Sequence, residues 1–217
     1  MVKIKLCGNQ SEADVEATAA ADAQGFIVMT PSSSRQIEPE QAAELMSLVP
    51  VFNVAVLVTT VTDPLLLSDM VEALEPQAVQ VHVELNAIQI GRIRRALGTS
   101  VPLYSVLAVS GDVSDCVERA KRLAEAPLAA LLLDSKVDDQ LGGTGVPHAW
   151  ETSACIREVV DPLPIILAGG ITPENVREAI DTVRPYAVDV ASGVETDGCK
   201  APSKIQALLK QVRPYGY

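Results

Sequence analysis

Short runs of apolar, often β-branched residues alternate along this chain with longer segments in which apolar residues recur every three or four positions. The short runs are typical of strands buried on both faces, and the longer segments are typical of amphipathic helices. Because one kind follows the other repeatedly, the pattern predicts successive βα units around a parallel sheet.

The alternation predicts eight strands and eight helices. The strands are expected at residues 2–7, 25–29, 52–58, 78–82, 103–108, 129–134, 164–168 and 187–192. The helices are expected near residues 11–22, 38–48, 63–74, 86–97, 113–125, 150–160, 173–183 and 201–212. Eight βα units in 217 residues are typical of a small (β/α)8 TIM barrel, and we expect residues 1–217 to form one such α/β domain. An open doubly wound sheet is the alternative.

Three of the predicted helices begin with a local signal. Ser11 can cap the first helix and is followed by acidic residues. Pro64 and Pro173 stand at the starts of two others, where proline is favoured in the first turn.

Composition and charge narrow the possible partners. Hydrophobic residues make up 48% of the chain and aromatic residues only 3%, so Ala, Val, Leu and Ile must fill the core. A formal net charge of −11 argues against nucleic acid, whose binding depends on clustered Lys and Arg. The chain shows no apolar signal segment at its start and no run near the roughly 20 residues of a membrane span. We therefore expect a cytoplasmic protein without a nucleic-acid or membrane partner. We also expect a monomer or a homodimer.

The four cysteines are widely spaced and form neither a CxxC pair nor a cluster with histidine; they are Cys7, Cys116, Cys155 and Cys199. This spacing predicts neither disulfides nor a metal site.

Two candidate catalytic side chains end predicted strands, which is where a TIM barrel carries its active site. Cys7 closes the first strand, and Asp134 follows an apolar run at the end of the sixth. A buried apolar thiol and a turn-capping Asp are the alternative readings. A nearby cation would lower the pKa of the thiol and make it a base, whereas partial desolvation would raise the pKa of Asp134 and make it an acid.

Three further polar residues are candidates for substrate binding. Arg35, in the loop after the second strand, can offer a bidentate fork to a carboxylate, although a lone arginine is more often solvated. His82 ends the fourth strand and can equally satisfy backbone groups. Asp189 lies within the last strand, so we expect it to have a polar partner near the barrel mouth.

Glycine-bearing loops follow the last three strands. Gly169 and Gly170 come after the seventh strand, and Ser192 and Gly193 after the eighth, the positions from which barrels often bind phosphate through backbone N–H groups. The loop after the sixth strand is long and carries Gly143 and Gly145, further candidate phosphate contacts in a segment able to close over a ligand.

Taken together, these motifs resemble the phosphoribosylanthranilate isomerase family over essentially the whole chain. The matching stretches are residues 5–8 (KLCG), 34–35 (SR), 80–82 (QVH), 133–135 (LDS), 142–145 (GGTG), 167–170 (LAGG) with 173–176 (PENV), and 189–195 (DVASGVE). The order and spacing of these stretches are far more specific than any one of them.

The resemblance implies an Amadori rearrangement of a phosphorylated sugar-amine without a cofactor. It implies that Cys7 is the base, that Asp134 is the acid and that Arg35 meets the anthranilate carboxylate. The loops after strands seven and eight would then hold the phosphate.

The chain departs from the family pattern at Val83, where glycine is usual, and at Ala149, where Asp is usual. It also lacks the Asp that usually follows Lys200. Two alternatives stay open: a related sugar-phosphate isomerase of the histidine pathway, which generally has Asp where Cys7 stands, and a barrel that binds a phosphorylated metabolite without turnover.

Overall fold

Eight parallel strands close into a barrel in the computed structural model, which describes residues 1–99, 101–137, 140–141 and 149–213. They are β1 Lys3–Cys7, β2 Ala23–Val28, β3 Val54–Thr59, β4 Ala78–Glu84, β5 Leu103–Val109, β6 Ala130–Val137, β7 Ile165–Leu167 and β8 Ala187–Val190. The strands pair in chain order, and β1 pairs in parallel with both β2 and β8. This ring confirms the TIM barrel, and the open sheet is wrong.

A helix follows each barrel strand. The helices are α1 Glu12–Thr18, α2 Pro39–Ser47, α3 Pro64–Leu74, α4 Ala87–Leu97, α5 Val113–Ala124, α6 Trp150–Val159, α7 Val176–Val183 and α8 Pro202–Val212. Ser11 caps α1 by accepting a hydrogen bond from the Asp14 backbone, as predicted. Pro64 opens α3, whose N-terminal N–H groups are capped by Asp63.

The seventh helix start was predicted wrongly. Pro173 precedes α7, which begins only at Val176. The Asn175 side chain accepts a 2.8 Å hydrogen bond from the Thr172 N–H and donates one of 2.8 Å to the Gly170 carbonyl. These bonds hold residues 170–175 in a turn and thereby delay the helix.

Strand ends also differ from the prediction by a few residues. The third strand starts at Val54 rather than at Phe52, which is 98% exposed. The second strand stops at Val28 because Met29 adopts a positive φ of 50°. The last strand ends at Val190, and Ser192–Val194 form a short 3-10 turn.

Alternation of side chains across each strand divides the core into two layers. On β6, Leu131 and Leu133 pack with the helices in the outer core, whereas Leu132 packs inside the barrel. The same alternation places Asp134 on the inner face. On β1 the alternation also places Cys7 on the inner face, because its neighbour Leu6 belongs to the outer core.

Three additional pairings lie beyond the barrel strands in the described residues, and one of them joins Gln140–Leu141 antiparallel to the end of β6. Gln36–Ile37 pairs in parallel with the end of β2, directly after the loop that carries Arg35. Glu195–Thr196 and Cys199–Lys200 form a small antiparallel hairpin before α8. The hydrophobic pattern did not predict these three pairings, because each involves strands of only two residues. Among the described helices, no segment has the length and apolar character that crossing a membrane requires.

Ala149 leaves the N-terminus of α6 without a side-chain cap. Ala149→Asp should therefore stabilise the protein, because an Asp at this position can accept a hydrogen bond from the first turn. We expect a gain of about 1 kcal/mol, or roughly 2–4 °C in Tm, measured by thermal unfolding. Ala149→Val, which cannot cap, is the matched control and should give no increase. Equal Tm values for the Asp and Val variants would contradict the prediction.

Candidate active site

The carboxyl ends of the strands surround a cavity of about 460 Å³. Every predicted site residue within the described ranges lines it: Cys7, Arg35, His82, Asp134, Gly169, Gly170, Asp189, Ser192 and Gly193. Gly143 and Gly145 lie outside the described residues. Groups from both ends of the chain thus meet in one space, because the closed barrel brings β1 beside β8.

Asp134 extends from β6 into this cavity and is buried. Burial, reinforced by the negative charge of Asp189, raises the pKa of Asp134 to about 7. The Ser135 backbone and Lys5 act in the opposite direction without cancelling this rise. The predicted increase in pKa is confirmed, and near neutral pH about half of such carboxyl groups hold a proton.

His82 lies between Gln80 and Asp134. Its Nδ1 is 3.1 Å from Gln80 Nε2, and its Nε2 is 3.5 Å from Asp134 Oδ2. Because the amide nitrogen of Gln80 donates, Nδ1 accepts, and a neutral ring then carries its proton on the nitrogen that faces Asp134. His82 therefore lies beside the Asp134 carboxyl group with this nitrogen facing it.

The Cys7 thiol is buried at the end of β1. Burial raises the pKa of Cys7 above its ordinary value, and Asp189 adds to this rise. Lys5 and Lys200 act in the opposite direction. The expected nearby cation is therefore present, but the expected lowering of the pKa is wrong, because the cost of desolvating a thiolate outweighs the attraction of both ammonium groups.

Lys5 lies two residues before Cys7 on the same inner face of β1. Its Nζ is 2.7 Å from Asp189 Oδ2, and both side chains are buried. Burial opposes the charged ammonium, but Asp189 and Cys7 outweigh it and raise the pKa of Lys5. Asp189 thus has the polar partner that its position predicted, and the pair forms a charged floor below the cavity.

Arg35 already holds a carboxylate from its own chain. Arg35 Nε donates to both Glu195 oxygens at 2.9 and 3.0 Å, and Nη2 donates to Oε2 at 2.6 Å. The bidentate fork that the sequence assigned to a ligand is therefore made internally. Arg35 still lines the cavity, with 19% of its side chain exposed.

Glu195 also binds Lys200, which in turn reaches the strand that carries Cys7. Lys200 Nζ is 2.7 Å from Glu195 Oε1 and donates a 2.6 Å hydrogen bond to the Cys7 carbonyl. Burial would raise the pKa of Glu195, but its bonds to Arg35 and Lys200 lower it. This group of Arg35, Glu195 and Lys200, here called the mouth triad, ties together the ends of β1, β2 and β8.

The glycine loops after β7 and β8 form another part of the wall. Gly169 and Gly170 have φ values of 82° and 66°, conformations that side chains rarely adopt. A Cβ on Gly193 would collide with the carbonyl oxygen of Ile171, so the two loops pack closely only because residue 193 is glycine.

Sequence reasoning missed several residues that support the site. Lys5, Glu195 and Lys200 are charged residues in or beside strands that are otherwise apolar. A charged residue in such a position indicates a buried ion pair, so the sequence could have identified these three. Gln80 alternates in phase with His82, a weaker signal. Gly25 had no signal, because its importance depends on a neighbouring strand.

Comparisons with known proteins agree with this architecture. The family model described as N-(5'-phosphoribosyl)anthranilate (PRA) isomerase matches residues 4–211. The N-(5'-phosphoribosyl)anthranilate isomerase of Methanothrix thermoacetophila is 38% identical, over 98% of this chain and 99% of that protein.

Two solved structures are similar over 99% of this chain and 100% of theirs. One is a phosphoribosyl anthranilate isomerase in complex with reduced 1-(o-carboxyphenylamino)-1-deoxyribulose 5-phosphate, with 31% identity and a TM-score of 0.82. The other contains monomers generated from the dimeric enzyme of Thermotoga maritima, with 31% identity and a TM-score of 0.81. From its sequence and its fold, the chain belongs to the N-(5'-phosphoribosyl)anthranilate isomerase family.

Proposed function

We propose that this protein converts N-(5'-phosphoribosyl)anthranilate to 1-(2-carboxyphenylamino)-1-deoxyribulose 5-phosphate, a step of tryptophan biosynthesis, with Asp134 as general acid and Cys7 as general base. The observation that carries the proposal is that a carboxyl group with a pKa of about 7 and a thiol face the same cavity beside two glycine loops. Family membership and the product analogue bound by a relative support the same reaction.

The reaction needs only proton transfers, so one acid and one base suffice without a cofactor. Asp134 protonates the ring oxygen of the ribose, and the bond from that oxygen to C1′ breaks to leave an iminium ion. Cys7, as thiolate, removes the proton from C2′ and gives an enolamine. The enolamine tautomerises to the ketone, so C2′ is oxidised and C1′ is reduced within one molecule.

The two ends of the substrate carry negative charges that the site can hold separately. The phosphate is assigned to backbone N–H groups at Gly169, Gly170, Ser192 and Gly193, with Gly143 and Gly145 as further contacts. The anthranilate carboxylate is assigned to Arg35. His82 and Asp189 border the sugar between these ends.

The proposal extends to the location, the substrate class and the oligomeric state of the protein. We place the protein in the cytoplasm, with a phosphorylated small molecule as its substrate. We infer a monomer or a homodimer, since a similar enzyme is dimeric and has been obtained as monomers.

Cys7→Ser and Asp134→Asn should each lower kcat at least on the order of 100-fold, because each removes one of the two proton-transfer groups. The assay follows the loss of fluorescence of phosphoribosylanthranilate, and it is repeated with the histidine-pathway substrate. Exposed Cys155→Ser and Asp69→Asn are matched controls and should retain full activity. A normal rate in folded Cys7→Ser would contradict the role of Cys7 as general base, and a normal rate in folded Asp134→Asn would contradict the role of Asp134 as general acid. Preference for the histidine-pathway substrate would overturn the proposed function.

The kcat/KM should rise with pH through about 7 and reach its maximum on the alkaline side. The productive form carries one proton on the Asp134 and Cys7 pair, and that proton lies on Asp134. Below the Asp134 pKa of about 7 the pair holds a second proton. Above the thiol pKa, which burial raises, the pair loses its last one. Each of these two protonation steps belongs to the Asp134 and Cys7 pair as a whole rather than to one residue. An optimum below pH 7 with steady decline above it would contradict this assignment.

The position of the thiol depends on Gly25, which pairs in register with Cys7. A Cβ at Gly25 would lie 2.8 Å from Cys7 Sγ and 3.1 Å from Cys7 Cα. Gly25→Ala should therefore displace the thiol and lower kcat on the order of 10-fold to 100-fold, measured by the same fluorescence assay.

The control for this substitution is Gly91→Ala in α4, where a Cβ meets nothing within 4 Å. It should leave kcat unchanged and stabilise the helix by about 1 kcal/mol. Unchanged kcat in folded Gly25→Ala would show that the thiol has room to move.

A further inference from the structure

The guanidinium group of Arg35 has two edges for hydrogen bonding. Glu195 occupies one of them, and the other is left for the cavity. Glu195 accepts hydrogen bonds from Arg35 Nε and Nη2, which lie on the same side of the guanidinium group. Among the described residues that line the cavity, Arg35 is present whereas Glu195 and Lys200 are not. The carboxylate of Glu195 therefore binds the arginine from behind.

The stem of Arg35 is confined as well. A Cβ on Gly8, whose φ is 82°, would lie 2.5 Å from Arg35 Cδ. The stem thus crosses directly over the backbone of the residue after Cys7. Glu195 holds the guanidinium group at one end of a side chain whose middle is already restricted.

Lys200 preserves the positive charge that this arrangement would otherwise lose. An arginine paired with one glutamate is neutral overall and has little attraction for a second carboxylate. Lys200, whose side chain is 1% exposed and whose Nζ lies 2.7 Å from Glu195 Oε1, brings the group of three back to a net charge of +1.

We propose that Glu195 is a positioning residue that aims Arg35 at the carboxylate of the substrate, with Lys200 maintaining the net positive charge. The inference rests on the proposed function and deepens it by assigning recognition of the carboxylate to three residues. Glu195 acts through Arg35 and touches no reacting atom.

Removing the negative charge of Glu195 would change substrate binding in opposite directions under the two explanations, a positioning role and a purely electrostatic one. If only charge mattered, removal of the negative charge of Glu195 would strengthen attraction for an anionic substrate. If Glu195 positions Arg35, its removal frees the guanidinium group to rotate and weakens binding of the carboxylate. In Glu195→Gln, the amide NH₂ would face N–H donors of Arg35 or Lys200, so the fork cannot form.

The experiment compares N-(5'-phosphoribosyl)anthranilate with N-(5'-phosphoribosyl)aniline, which lacks the carboxylate. The measured quantity is the ratio of their kcat/KM values. Glu195→Gln should lower this ratio about tenfold, mainly by raising KM for the carboxylated substrate while kcat changes little. Exposed Glu178→Gln on α7 is the matched control and should leave the ratio unchanged. A ratio that stays the same or increases in Glu195→Gln overturns the inference.

A double-substitution cycle tests whether Glu195 acts through Arg35. In an Arg35→Ala background the ratio should already be low, and adding Glu195→Gln should lower it no further. A tenfold decrease in both backgrounds overturns the inference, because Glu195 would then act by another route.

Circular dichroism and thermal unfolding establish that each variant is folded. If Glu195→Gln does not fold, Glu195→Asp takes its place, since the shorter carboxylate keeps the charge but cannot reach both partners. It should lower the ratio in the same direction, and an unchanged ratio overturns the inference. A wild-type protein that turns over neither substrate refutes the proposed function itself, whereas turnover with an unaltered ratio refutes only the role of Glu195.

Discussion

Removal of water from ionisable groups is the physical constraint on which this site depends. The closed barrel buries Lys5, Asp189, Glu195 and Lys200, each at most 8% exposed. A buried charge without a partner costs several kcal/mol, so these groups are stable only in contact with one another. The Lys5 and Asp189 pair and the mouth triad satisfy this requirement, and they also connect β1, which carries the candidate base, to β2 and β8.

The same constraint gives two buried carboxyl groups opposite properties. Glu195 meets Arg35 and Lys200 directly, and these cations lower its pKa despite burial. Asp134 is buried beside negative Asp189, and its pKa rises to about 7. One group therefore stays ionised as a structural anion and the other can carry a proton, which is how environment divides roles between carboxyl groups in acid and base chemistry.

Glycines let the reacting and binding side chains approach this closely. Gly25 makes room for the Cys7 thiol, Gly8 for the stem of Arg35, and Gly169 for Asp134, whose Oδ1 would lie 2.7 Å from a Cβ there. Each of these contacts joins elements that are distant in the chain or on neighbouring strands. The site is thus shaped by missing side chains as much as by the functional groups.

The sequence by itself determined the eight βα units and the placement of Cys7 and Asp134 at strand ends, because periodicity and strand alternation are local properties. It favoured the barrel over an open sheet, but the pairing of β1 with β8 decided that the sheet closes. It also indicated that Asp189 needs a partner, but not that Lys5 is that partner. Only the tertiary structure decided that Arg35 is held by Glu195 and that burial raises rather than lowers the pKa of Cys7. These outcomes depend on distances between groups far apart in the chain and on the water excluded when the barrel closes, and neither is encoded in a local pattern of residues.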